Sequence, residues 1–452
     1  MRSDRLIFVD IVRGLAIIGV IVVHSTSYGI WYNEHNALKV LPPGAVAALS
    51  PIILLATWAG AFALITGLVN AYNIHRRLER GRGLAAVCRE PAVNAAVLMG
   101  IWILVALLFT HRRPALFGAE GEIFSLVSGS LAQGRFTPPD WETLFYKDAL
   151  VMIALAGFTS ALAMRLLYRN VDPKDSADLR RRAWIGLSAG AVFLAASAVL
   201  QPPLYVLFER LMGSGGAGNR IAAWFVNLLS GPSHVLLPYG GFAVTGASLG
   251  VLLAAGTDRR GLRRPSLSFG IAYLATSAVF LARTVSTALQ NGTDPLVAVF
   301  DYAVITPGLS FFAIGSILCL FPMVVRLTDD RPAAERDRLF RKTLWLRRFG
   351  MISLSVFILE NPVTAILGRI FHLVFGNPDA PTDAFMTNAF AIILYFVVTL
   401  AFWFAVVRLW EKKGFRCSFE WLSIRIGGKF RGRPSDRLNV ERILYGRSAA
   451  DS

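Results

Sequence analysis

Asp10, Arg13 and His24 share one face of a segment that is otherwise apolar. At about 100° per residue, Arg13 and His24 are eleven positions apart but only about 20° apart around a helix, with Asp10 about 40° from His24. A charge near the centre of a bilayer costs at least about 2.5 kcal/mol, so such groups face protein or a water-filled cavity. Arg13 can grip a phosphate or carboxylate with its planar fork, and Asp10 can hold that fork in place. Read as architecture alone, the two are an ion pair three residues apart and His24 is a packing residue. Read as chemistry, His24 lies about 16 Å farther along the helix and offers an imidazole suited to proton transfer near neutral pH.

Later residues widen the set. His35 follows Trp31-Tyr32-Asn33-Glu34, and Glu34 can orient its imidazole as a general base. Trp and Tyr also belong at membrane boundaries, so the same stretch reads as an interfacial loop. Arg283 and Asp301 make a candidate buried ion pair. Glu360-Asn361-Pro362 sits in an apolar run where the proline frees a backbone carbonyl and bends the helix. A carboxylate beside such a break can line a cavity.

Spanning helices are what must position these groups. The chain has 452 residues, 55% of them apolar and 17% charged, which places it among polytopic membrane proteins. Ten spans are expected, at 6–30, 44–73, 91–110, 146–168, 184–208, 221–255, 266–290, 296–325, 349–375 and 384–409. The sixth is too long for one helix and contains Ser230-Gly231-Pro232, so it should begin as a short separate piece. Of the 46 Lys and Arg, 36 fall in every second connection, which predicts that both termini are cytoplasmic. The fold class is therefore an all-α integral membrane bundle of about ten helices. Residues 1–411 form the membrane domain, and 412–452 a basic cytoplasmic tail.

Within that tail, Phe419 to Ile424 is amphipathic and expected on the anionic inner leaflet, and the last dozen residues are expected to be disordered. Residues 111–145 can fold as a lid over an outward cavity. The formal charge of +17 does not gather on one domain, so no nucleic-acid partner is expected. Cys88, Cys319 and Cys417 are widely spaced and show no metal-ligand pattern, so no metal is expected.

Several of these motifs resemble known membrane acyltransferases. Asp10-Ile-Val-Arg13-Gly14-Leu-Ala16 followed by His24 resembles the opening of the acyltransferase-3 family, including the His eleven residues after the Arg. Gly350-Met-Ile-Ser353-Leu-Ser355 through Glu360-Asn361-Pro362 is similar to a late helix of that family, with Glu360 where the family usually has His. Trp31 to His35 resembles the segment bearing the active-site His of heparan-α-glucosaminide N-acetyltransferases. Phe415 to Leu422 with Arg425 is similar to the C-terminal signature of YeiB-like membrane proteins.

The resemblance implies an acyltransferase that takes an acyl group, acetyl by preference, from cytoplasmic acyl-CoA. The acceptor would be a hydroxyl or amine of a glycan, lipid or metabolite at the outer face. It implies His35 or His24 as base, and Glu360, beside the helix break, is a further catalytic candidate from its own position. Arg13, Asp10 and the Arg76–Arg89 connection would serve the donor, and Arg283, Asp301 and Asn361 the acceptor. A rival from another class is a proton-coupled transporter or flippase that uses Asp10, Arg13, Asp301 and Glu360 as an ion path. A third is a scaffold whose polar residues only bind helices together.

Overall fold

In a bilayer an apolar run becomes a helix because only internal hydrogen bonds satisfy its backbone there. The computed structural model follows that rule over the residues it describes, which are 6–31, 57–110, 125–231, 234–256, 259–299, 306–377, 384–430 and 440–445. The first helices are α1 (Ile7–His24), α2 (Gly60–Glu79), α3 (Leu84–Phe109) and α4 (Ser128–Gln133). Next come α5 (Ala149–Leu167), α6 (Ser176–Gly213), α7 (Ala217–Ser230), α8 (Leu236–Ala254) and α9 (Arg259–Gln290). They are followed by α10 (Pro295–Val299), α11 (Pro307–Leu327), α12 (Ala333–Lys342) and α13 (Leu344–Met351). The last are α14 (Ser353–Phe375), α15 (Ala389–Lys412) and α16 (Phe419–Phe430). The protein is an all-α, multi-helix membrane protein, with nine helices among the described residues long and apolar enough to cross a bilayer.

Two details refine the expected spans. The run 221–255 is divided after Ser230, where Gly231 takes an extended conformation and ends α7. The expected second span falls partly outside the described residues. Its described part, α2, carries Asn70, Asn73, His75 and Arg76 and is not among the nine.

The chain divides into two compact units, one of Met1–Ala56, Ile103–Leu144 and Leu327–Ser452, the other of Thr57–Trp102 and Phe145–Arg326. In the second unit α8 is almost entirely buried. A Cβ on Gly246 would lie 1.9 Å from the Leu64 carbonyl oxygen, and one on Gly67 would lie 2.1 Å from that of Ala243. Helices α2 and α8 therefore cross backbone to backbone, which only small residues permit. At the far end of α2, Glu90 pairs with both Arg77 and Arg82, and Glu79 with Arg76. Three arginines of the connection expected to meet the donor are thus already engaged by carboxylates.

In the first unit α1 lies along α13 and α14. A Cβ on Gly14 would come 2.1 Å from the Leu346 carbonyl oxygen, and one on Gly350 would come 2.6 Å from that of Asp10. Neither α1 nor α14 has a cap from its own N-cap residue. Distant acids close both ends. The Ile7 and Phe8 amides donate to the two carboxylate oxygens of Asp329 at 2.8 and 2.9 Å. The Leu354 and Ser355 amides donate to Glu420 Oε1 at 2.6 and 3.2 Å, and the Ser355 hydroxyl donates to Oε2 at 2.5 Å. Acids at helix N-termini meet the exposed amides and the positive end of the helix dipole.

Burial pushes the carboxyl groups of Asp329 and Glu420 above the ordinary carboxylate range, against the amides that favour ionisation. A raised value in the folded state means that the stabilisation is present in acid and is lost as the pH rises through that value. Glu420→Gln mimics the protonated form. It should match the wild type in acid and melt at a higher temperature than the wild type as the pH is raised. Thermal unfolding of the solubilised protein at a series of pH values checks the sign.

Two segments of the tail pack against the first unit. Helix α16 docks on the unit through Glu420, and Trp421 and Ile424 pack against a core that includes Ile17, Ile21 and Trp403. Part of the last dozen residues is ordered. Glu441–Tyr445 form a π turn, and Val440 and Leu444 join the same core. The buried Arg347 anchors this turn by donating to the carbonyls of Leu444 at 3.1 Å and of Ile443. Apolar residues within a basic tail can still find a core, and this composition-based expectation gave them too little weight.

Candidate active site

Helices α1 and α14 run side by side, and their polar groups meet in the same order along both. Arg13 donates from Nη2 to the Ser353 hydroxyl at 2.8 Å. One level farther along, His24 Nδ1 lies 2.5 Å from Glu360 Oε1. Beyond them, a Cβ on Gly368 would sit 2.7 Å from the Gly29 carbonyl oxygen, so the two backbones nearly touch. His24 is the last residue of α1, and from Ser25 to Ile30 the chain winds as a π-helix. Such wide turns cluster at functional sites, because they re-aim side chains that regular winding would place elsewhere.

Burial separates the roles of the two partners. The Glu360 side chain is 1% exposed and that of His24 is 26% exposed, so the carboxylate is enclosed while the imidazole reaches open space. In this arrangement the carboxylate can accept the Nδ1 proton, which leaves Nε2 as the basic nitrogen. The other Glu360 oxygen faces the Thr364 hydroxyl at 3.4 Å. Ser25, Thr364, Tyr395 and Thr399 are buried around that side of the pair, with Tyr395 on α15. Tyr28 and Phe357 stand edge-on to the imidazole, at 5.6 and 6.1 Å between ring centres.

Asp10 is buried, with its Oδ2 3.9 Å from Nε of Arg347. That guanidinium stacks on the Phe340 ring at 3.3 Å. Asp10, Arg13, His24 and Glu360 are thus gathered along one helix pair of the first unit. Asn361 is half-buried beside Glu360. Arg283 belongs to the second unit and is exposed on α9, so the burial expected of it is not observed. His35 and Asp301 lie outside the described residues. Sequence reasoning missed Arg347, Ser353, Thr364 and Tyr395. Ser353 stood inside a quoted motif, and the other three carried no local signal.

An all-helical membrane protein with a histidine–carboxylate pair between two parallel helices is the class that this geometry defines. A family model described as an acyltransferase domain matches residues 6–408. The chain belongs to this acyltransferase-3 family, which gives it an acyltransferase-type function. No curated protein and no solved structure matches the chain.

Proposed function

We propose that the protein transfers an acyl group, acetyl by preference, from cytoplasmic acyl-CoA to a hydroxyl or amine of a glycan, lipid or metabolite at the outer face of the cell membrane. Both termini lie in the cytoplasm in this reading. The observation that carries it is the His24–Glu360 pair, a half-open imidazole oriented by an enclosed carboxylate. His24 Nε2 takes the proton of the acceptor as its oxygen or nitrogen attacks the thioester carbonyl. The new carbon–oxygen or carbon–nitrogen bond forms, the carbon–sulfur bond breaks, and the proton passes from the imidazolium to the CoA thiolate.

Arg13 serves the phosphate end of the donor, with Ser353 fixing its fork, while Asp10, three residues earlier, faces Arg347. The rise of about 16 Å between Arg13 and His24 accommodates an extended pantetheine arm. The test is incubation of membranes carrying the protein with labelled acetyl-CoA, followed by mass analysis of the labelled species. A discrete acetylated product that depends on the protein supports the reading. Absence of any labelled product, with solute counterflow in proteoliposomes that lack CoA, would falsify it in favour of a transporter.

A further inference from the structure

We infer that a groove between α4 and α14 binds an anionic phospholipid, its phosphate held by Arg369 and Arg135 and one acyl chain laid along α14. The groove lies within the first unit and measures about 540 Å³, in the size range of small-molecule pockets. From α14 it is lined by Ile366, Arg369, Ile370 and Leu373. Positions three, four and seven beyond Ile366 form one stripe of a helix. Glu360 is nine residues before Arg369, which places it about 180° away around the same helix. The groove therefore opens on the opposite face of α14 from the His24–Glu360 pair, and the inference stands independently of the acyl-transfer reading.

All four residues of the stripe are exposed, on a helix long and apolar enough to cross a bilayer. Such a face meets lipid. Arg369 lies six residues, about 9 Å, before the end of α14. A guanidinium at that depth is costly in hydrocarbon and is relieved by reaching toward the phosphate layer. Here it is also fixed in position. Its Nη1 donates to the Leu131 carbonyl of α4 at 3.1 Å, and a Cβ on Gly134 would lie 3.1 Å from its Nη2. Gly134 closes α4 in the left-handed conformation, with a φ of 65°, and the turn it permits brings Arg135 and Phe136 into the lining. Among the described residues that lining holds two guanidinium groups and no carboxylate. A phosphate diester complements that charge, because its oxygens match the guanidinium fork. A soluble anion would meet the arginines and leave the isoleucines, Leu373 and Phe136 uncovered. A lipid satisfies both parts of the groove, and basic pockets beside spanning helices select anionic headgroups in this way.

The test is native mass spectrometry of the full-length protein in detergent, titrated with phosphatidylglycerol, with phosphatidylcholine of the same chains, and with glycerol 1-phosphate. Phosphatidylglycerol should bind at least about 10-fold more tightly than phosphatidylcholine, and glycerol 1-phosphate should bind far more weakly than either, because it has no chain to bury. Arg369→Gln and Arg135→Gln should each weaken phosphatidylglycerol binding by about 5-fold, and the double variant by about 25-fold. Arg210→Gln, at the exposed end of α6 in the second unit, should leave it unchanged. The comparison of lipids on the wild type needs no variant, so it decides the question even if a substitution fails to fold. Equal binding of the two lipids, or an unchanged affinity in the folded double variant, overturns the site. Glycerol 1-phosphate binding as tightly as phosphatidylglycerol overturns the lipid in favour of a soluble anion.

Discussion

His24→Gln should lower acyl transfer by about 10²- to 10⁴-fold, the usual contribution of a positioned general base, in a protein that still folds. Gln is the informative replacement because its amide can still donate to Glu360, which is 1% exposed and would otherwise be an uncompensated buried carboxylate. Alanine would confound the loss of the base with that penalty. The measurement is initial rate with labelled acetyl-CoA, alongside thermal unfolding to show that the fold persists. His35→Ala belongs in the same experiment. If His24→Gln keeps full activity and His35→Ala loses it, the base is His35 and the pair described here only positions α1 against α14.

Glu360→Gln should lower kcat by about 10²- to 10⁴-fold, with little change in KM for the donor. A glutamine can present its NH₂ to Nδ1, which puts the ring proton on Nε2 and abolishes the base. Even in the favourable flip, the negative charge that steadies the imidazolium is gone. The donor's phosphate end meets Arg13 about 16 Å away, so ground-state binding should hardly notice. A variant in which KM rises and kcat is unaltered would remove Glu360 from the role of orienting His24 and make it a substrate contact.

The parts of this design legible in the sequence are those written locally. Apolar runs of sufficient length give the helices, and polar residues inside such a run give the face of α1, because their cost in lipid makes them conspicuous. What pairs with that face is written elsewhere. His24 and Glu360 are 336 residues apart, and each on its own is a single polar residue in an apolar helix. Arg347 was hidden differently, since it lies among cations that also set membrane orientation and nothing local distinguishes it from them. The π-helical turn at Ser25–Ile30 changes the helical period over only six residues, too few for a pattern to reveal. The docked tail was obscured by its own charge, which suggested solvent and lipid surface while Val440 and Leu444 were bound for the core.

The capping of α1 and α14 by Asp329 and Glu420 has a bearing on biosynthesis. Helix α1 is translated before Asp329, so its amides wait for a residue 322 positions later. Helix α14 in turn waits for one 66 positions beyond it. A nascent chain can insert its helices in order but cannot complete the caps beside the His24 site until Glu420 has been translated. Chains released early would therefore sit in the membrane with the first helix uncapped and the imidazole unoriented. Such fragments would be inactive toward acyl donors and marked by loose helix ends for quality-control proteases.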